Sequence, residues 1–154
     1  MNGETMSETC EIAGPGARCR IQVLGYENPA AQDPSDANWL SCRVAIRGDD
    51  SLSAEGPAAL SVQDFSDFAE DLHKVLRGAG GTASFTTDEE DVSLNIEIKK
   101  TGTASVTGVL RLSGNVRATL SFAFESDQTF LAEAQRQLEA IARAFPARPG
   151  PTPA

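Results

Sequence analysis

Candidate catalytic residues are scarce in this sequence, beginning with histidine, which occurs once. His73 follows Leu72 in a stretch of helical periodicity, and no catalytic partner can be assigned near it. A general base must lie within hydrogen-bond reach of the proton that it takes. A cysteine–histidine dyad with Cys42 is conceivable, but Cys42 falls among apolar residues and is better explained as inert packing. His73 is therefore predicted to be a partly exposed residue beside an apolar stripe.

Metal and phosphate sites require particular spacings, which are missing here. A zinc site needs about four Cys, His or carboxylate ligands, whereas Cys10 and Cys19 are separated by eight residues and no Cys-x-x-Cys pair occurs. Residues 78–81 are glycine-rich, but they follow a predicted helix, and a phosphate loop would precede one. The sequence predicts no catalytic, cofactor-binding or metal-ligating residue, and the protein is predicted not to be an enzyme.

Carboxylates, by contrast, are abundant and concentrated. Residues 61–99 carry nine acidic and three basic side chains, whereas residues 100–154 carry four acidic and six basic ones. The run at 88–91 has two interpretations: a solvated loop tip, which is the usual state of charge runs, or a surface that attracts a cationic partner. On the second interpretation the candidate partner-binding residues are Asp67, Glu70, Asp71, Asp88, Glu89, Glu90 and Asp91.

The overall charge limits the kinds of partner. The chain has 154 residues and a formal net charge of −9. Nucleic-acid binding needs a cationic surface, and anionic lipid repels an acidic one, so neither is predicted. The charge suits solubility alone or electrostatic steering toward a basic protein partner. No apolar run approaches the roughly 20 residues of a membrane span and no secretory signal is present, so a cytoplasmic location is predicted.

Glycine and proline content divides the chain into a central domain and two tails. Residues 1–17 are polar with a glycine–proline cluster near their end, and they are predicted to be a mobile leader. Residues 147–154 are proline-rich and are predicted to be a disordered tail. A single domain is predicted over residues 18–146, with no internal sequence repeat.

Hydrophobic periodicity predicts the elements of this domain. Ser61 and Asp64 form a capping box before a helix whose apolar residues recur every three or four positions. A second helix is predicted over residues 129–145, capped by Asp127 or Thr129. Alternation predicts strands over residues 20–26, 39–47, 52–60, 83–87, 92–99, 106–112 and 116–124.

Short connections between the strands favour antiparallel hairpins. The predicted fold is α+β: an antiparallel sheet of about six to seven strands with two amphipathic helices packed on one face, in the order βββ-α-ββββ-α. Cys42 is predicted to be a small core residue, and Trp39 to lie at the edge of the core rather than in an interface. The polar sheet face is predicted to carry Ser41, Arg43, Ser93, Asn95, Glu97, Thr119 and Ser121.

Two segments together resemble a known family. One is Asp36-Ala37-Asn38-Trp39-Leu40, and the other is the stretch at 124–131, Phe-Glu-Ser-Asp-Gln-Thr-Phe-Leu. With the order of elements between them, residues 20–145 resemble the WapI-type immunity-protein family of bacteria. The resemblance implies a cytoplasmic antidote that binds the toxic C-terminal domain of a contact-dependent toxin, typically a nuclease acting on RNA. It implies no role for any particular residue.

Three functions therefore stay open from the sequence. The first is a non-catalytic binding protein, an immunity protein that neutralises a nuclease-type toxin domain by protein–protein contact. The second is an enzyme that uses aspartate and glutamate without metal, which requires a concave pocket with convergent carboxylates. The third is a structural module that self-associates through sheet edges or the polar face.

Overall fold

The computed structural model of the protein describes residues 8–78, 80–87 and 91–148. These form two antiparallel sheets of four strands each, together with two long helices and one short one. Sheet A contains β1 (Glu8–Ala13), β2 (Ala17–Tyr26), β3 (Trp39–Gly48) and β4 (Ser53–Ser61), in that spatial order. Sheet B contains β5 (Gly81–Thr86), β6 (Val92–Ile98), β7 (Thr103–Ser113) and β8 (Arg117–Asp127), also in chain order. The helices are α1 (Pro34–Ala37), α2 (Val62–Arg77) and α3 (Gln128–Ala144).

The predicted α+β class with antiparallel strands is confirmed, but the strands form two sheets rather than one. The division falls at α2, which follows β4 directly and packs against β5. Alternation shows which face of a strand is apolar. It does not show which strand edges pair, so one sheet and two sheets have the same sequence pattern.

The strand that the sequence analysis missed is β1. It pairs antiparallel with β2 and buries Cys10 and Ile12 completely. The edge of β1 that does not pair with β2 faces α3, where the backbone N–H of Glu11 donates to the side chain of Gln137 at 2.7 Å. The alternation of buried and exposed residues in β1 was not recognised because the segment contains acidic residues. The folded domain therefore begins before the predicted boundary at residue 18, inside the segment predicted to be a leader.

The chain is built from two units of the same topology, although their sequences show no repeat. Each unit is a four-stranded meander followed by a helix: β1–β4 with α2, and β5–β8 with α3. The helices are exchanged, since α2 packs on β5 of the second unit and α3 packs on β1 of the first. The two helices also pack on each other, so both sheets enclose one continuous core.

The segment that follows the first strand of each unit also forms a hydrogen bond to the last strand of the other unit. The carbonyl oxygen of Ala13, at the end of β1, accepts a 2.6 Å hydrogen bond from the hydroxyl of Ser126 in β8. In the matching place, Asp91 after β5 accepts a 3.4 Å hydrogen bond from the backbone N–H of Ala59 in β4. Each unit thus contacts the last strand of the other, and neither core is complete alone.

Both long helices begin at side-chain caps, as predicted. The Ser61 hydroxyl accepts from the N–H of Asp64 at 3.0 Å, and the Asp64 carboxylate accepts from the N–H of Ser61 at 2.9 Å. Asp127 caps α3 by accepting from the N–H groups of Thr129 and Phe130 at 2.9 and 3.0 Å. Phe65 and Phe68 of α2 then pack on Phe85 of β5, with ring centroids 5.8 and 5.1 Å apart.

Candidate functional site

Three predicted partner-binding residues lie on the solvent side of α2. Asp67, Glu70 and Asp71 are exposed, opposite the buried stripe that contains Phe68 and Leu72. The side-chain amide of Gln63 donates to Asp67 at 2.8 Å, and Lys74 forms an ion pair with Glu70 at 3.2 Å. Exposed pairs of this kind contribute little to the stability of the fold. We call Asp67, Glu70 and Asp71 the α2 acidic face.

Of the predicted acidic run at 88–91, the structure describes Asp91 alone. Asp88, Glu89 and Glu90 lie outside the described residues. Asp91 is half-buried rather than at a free loop tip. Its carboxylate contacts the N–H of Ala59, and its carbonyl oxygen accepts from the N–H of Arg111 at 2.8 Å. Asp91 thus joins the two units of the fold, a role that its place in a charge run did not reveal.

A second charged surface, of opposite sign, covers the outer side of sheet A. Arg18 and Arg20 lie on β2, and Arg43 and Arg47 lie on β3. The register places Arg18 directly opposite Arg47, and Arg20 opposite Ala45 between the two arginines of β3. We call these four arginines the arginine face. They make up four of the thirteen basic residues of the chain.

Glu55 of β4 partly neutralises the arginine face. Its carboxylate accepts from Arg43 Nε at 2.7 Å and from Arg47 Nη2 at 2.9 Å. The hydrogen bond from Arg43, reinforced by that from Arg47, holds the pKa of Glu55 below its ordinary value of 4.5. Glu11 lies opposite Arg20 on the neighbouring strand β1. Four positive charges against these two carboxylates leave a local excess of two.

The arginines surround a depression of about 80 Å³ whose floor is Ala45. Sites for drug-sized ligands usually have about 300–1,000 Å³. The depression therefore has room for a single carboxylate or phosphate group. Guanidinium groups bind both kinds of oxyanion in paired hydrogen bonds.

The residues considered for nucleophilic chemistry are poorly placed for it. All three cysteines are free and buried. Burial raises the pKa of the Cys19 and Cys42 thiols to about 12, and raises that of Cys10 further with help from Cys19. The thiolate is the reactive form, so the predicted packing role of Cys42 agrees with its surroundings. His73 is exposed on α2. Within the described ranges, no three Cys, His or carboxylate side chains are grouped so that they could hold a metal ion.

The two family-like segments have structural roles. Asn38 exchanges hydrogen bonds with the backbone of Arg148, accepting at 2.6 Å and donating at 3.2 Å. Trp39 is half-buried at the start of β3. In the second segment Asp127 caps α3 and Ser126 bonds to Ala13. These residues shape the fold rather than a reaction site.

Arg43 was predicted on a polar sheet face, but the arginine face as a whole was not predicted from the sequence. The spacing Arg18-x-Arg20 is the signal that was available, because residues two apart in a strand share a face. The antiparallel register that brings this pair against Arg43 and Arg47 is a long-range feature, which spacing does not specify.

The fold and its surfaces define a class: a small acidic α+β protein of two exchanged ββββα units that carries one acidic and one basic face. The Immunity protein WapI-like family matches residues 11–146, so the chain belongs to that family. No curated protein sequence matches it. None of the helices in the described ranges has both the length and the apolar character needed to cross a membrane.

Proposed function

We propose that this protein is an immunity protein that neutralises a toxin domain by direct, non-catalytic contact in the cytoplasm. The observation that carries the proposal is the family match, which extends over residues 11–146. We further propose a nuclease-type toxin. A nuclease must present a cationic surface to its substrate, and the net charge of −9 on this chain would attract that surface.

The proposed first contact is the α2 acidic face together with the acidic run at 88–91. Asp67, Glu70 and Asp71 are exposed to solvent on a helix that is anchored by its buried stripe. Asp88, Glu89, Glu90 and Asp91 complete the proposed partner-binding set. Charges of this kind at an interface act mainly on the association rate, and salt weakens the effect.

Capture of the partner tests the proposal directly. The protein, tagged at its N-terminus, is used to capture bound proteins from its native host, and these are identified by mass spectrometry. A toxin domain is expected among them, and co-expression should restore growth of cells that produce it. Capture that yields no toxin domain, or a toxin domain whose toxicity co-expression leaves unchanged, would refute the proposal.

The stoichiometry of neutralisation separates binding from catalysis. Toxin activity is measured while the protein is added in increasing molar ratio. A binding antidote abolishes activity at a fixed ratio near one to one, whereas an enzyme that inactivates the toxin acts well below that ratio. Light scattering of the free protein across a range of concentrations tests the self-associating alternative.

The acidic surface is tested by charge removal that preserves size. Asp67→Asn, Glu70→Gln and Asp71→Asn together should slow association with the toxin about tenfold at low salt, with a smaller effect at high salt. The matched control is Glu97→Gln, Glu133→Gln and Glu139→Gln, which removes three exposed charges from β6 and α3. Equal effects of the two variants would show that only net charge matters, and would remove the α2 acidic face from the proposal.

A further inference from the structure

The repeated topology allows the arginine face to be compared with its counterpart in the same chain. The last residue of β4, Ser61, pairs with Trp39, and the last residue of β8, Asp127, pairs with Thr103. Counting four residues on from Trp39 and from Thr103 matches Arg43 with Thr107.

The same registers extend the match to neighbouring strands. Ala45 corresponds to Val109, and their partners are Arg20 on β2 and Ser93 on β6. On the other side their partners are Glu55 on β4 and Ser121 on β8. Where sheet A carries Arg20, Arg43 and Glu55, sheet B carries Ser93, Thr107 and Ser121. Small hydroxyl side chains therefore satisfy these three positions, whereas the same count from Thr103 places Arg111 at the position of Arg47. The comparison thus shows that the fold does not require arginine at the positions of Arg20 and Arg43.

The arginine face also opposes stability. Like charges directly across a strand pair destabilise a sheet, and Arg18 lies directly opposite Arg47. Glu55 forms its ion pairs with Arg43 and Arg47. Among residues 8–78, 80–87 and 91–148, no ion pair is made by Arg18 or Arg20, although Glu11 lies opposite Arg20 across β1 and β2. Groups that disfavour folding without a compensating contact are typical of functional surfaces.

We propose that the arginine face binds carboxylates of an acidic segment on the protein partner, the four guanidinium groups enclosing one side chain in the depression over Ala45. This rests on the proposed function, in which the partner is the toxin domain. Glu55 holds Arg43 and Arg47 in place. Arg18 and Arg20, which form no ion pair with another described residue, supply further donors. The protein would then bind its partner through two surfaces of opposite charge. Such an arrangement fixes the orientation of the partner in the complex as well as attracting it.

The surroundings of the face favour an acidic protein segment over nucleic acid. The described residues that line the depression include no aromatic side chain, whereas single-stranded nucleic acid is usually bound by base stacking on aromatic residues. The remainder of the chain is strongly acidic and would repel a long polyanion. A short acidic segment brings few charges, and a single carboxylate fits a space of about 80 Å³.

The test uses a capped hexaglutamate peptide as a probe, with inorganic phosphate and a short single-stranded DNA as the competing classes. Binding to the full-length protein is followed by NMR of backbone amides and arginine Nε–H groups. The peptide is expected to shift the signals of Arg18, Arg20, Arg43 and Arg47 in a saturable way. The double variant Arg20→Ser/Arg43→Thr takes its residues from the equivalent positions of sheet B, and it should bind roughly tenfold more weakly.

The control variant is Lys99→Ser/Lys100→Thr, which removes two exposed positive charges from the turn between β6 and β7. It should retain full peptide binding. Equal weakening in both variants, shifts centred elsewhere, or tighter binding of phosphate or DNA than of peptide would each overturn the inference. Amide spectra and thermal unfolding establish that each variant is folded.

The captured toxin domain separates this inference from the proposed function. If Arg20→Ser/Arg43→Thr binds and neutralises the toxin as well as the wild type does, the arginine face is not a partner site although the immunity function stands. If no toxin is captured, the immunity function fails, and the peptide titration still decides whether the face binds carboxylates.

Discussion

The guanidinium group of Arg148 lies over the ring of Tyr26, 3.9 Å from its centroid. From there it donates hydrogen bonds of 2.9 Å to the carbonyl oxygens of Ala37, Pro29 and Asn28. The hydroxyl of Tyr26 donates a hydrogen bond of 2.6 Å to the carbonyl oxygen of Pro146, two residues before Arg148. The chain after α3 is thus fastened to the β2–β3 connection, and the folded part extends past the predicted boundary at residue 146.

Replacement of Arg148 should loosen this connection. Arg148→Lys keeps the charge but not the planar fork that reaches three carbonyl groups at once. We expect a loss of about 1–2 kcal/mol in the free energy of unfolding, measured by urea denaturation. Arg143→Lys, on the exposed side of α3, is the control and should change stability by no more than about 0.5 kcal/mol. A similarly small change for Arg148→Lys would show that the contacts of Arg148 contribute little to the free energy of unfolding.

Gly14 tests the contact between the two units. A methyl group at this position would overlap the carbonyl oxygen of Glu125 on β8, and backbone atoms cannot move aside easily. We expect Gly14→Ala to lower the free energy of unfolding by about 1–3 kcal/mol. Gly16→Ala lies two residues away, where an added methyl meets no atom of the described residues within 4 Å, and should be tolerated. Equal behaviour of the two variants in urea would contradict the close approach of β8.

The pH dependence of stability should report the pairing of Glu55. Arg43 and Arg47 lower its pKa in the folded state, so ionised Glu55 stabilises the fold above the ordinary glutamate pKa. This contribution is lost as pH falls through the lowered pKa of the folded state. The difference in urea midpoint between wild type and Glu55→Gln should therefore be present at pH 7 and shrink under acid conditions. A difference independent of pH would show that charge pairing is not its source.

Thiol reactivity should report the integrity of the core. Burial of Cys10, Cys19 and Cys42 keeps all three protonated at neutral pH. We expect no reaction with a disulfide reagent in native buffer, and reaction of all three in denaturant, measured by release of the coloured thiolate. Fast labelling of one cysteine under native conditions would show that its part of the core opens locally.

Local features of the fold were predictable because neighbouring residues specify them. The capping box at Ser61 and Asp64 needs a separation of three residues only, and the structure has both of its hydrogen bonds. Strand faces followed from alternation, so Cys42 was correctly assigned to the core. The strand β1 was missed because Glu8 and Glu11 made an edge strand look like a polar leader, and its burial depends on α3, far along the chain.

The candidate surfaces likewise include one that local sequence predicts and one that depends on long-range contacts. The α2 acidic face was predictable because Asp67, Glu70 and Asp71 lie opposite a helical apolar stripe, and the structure leaves them exposed. Asp91 was grouped with them by sequence, whereas the fold uses it to join β4 to the second sheet. The arginine face depends on the β2–β3 register, which brings two sequence-distant pairs together.

The sequence by itself determined the acidity of the chain, its α+β class and the position of each long helix, since composition and local periodicity encode these properties. Only the tertiary structure decided that the strands divide into two sheets, that the two units exchange helices, and that Arg18 and Arg20 meet Arg43 and Arg47. Strand pairing and helix exchange depend on contacts between residues far apart in the chain. In an acidic sequence, four arginines become a surface only when the register places them on the same side of one sheet.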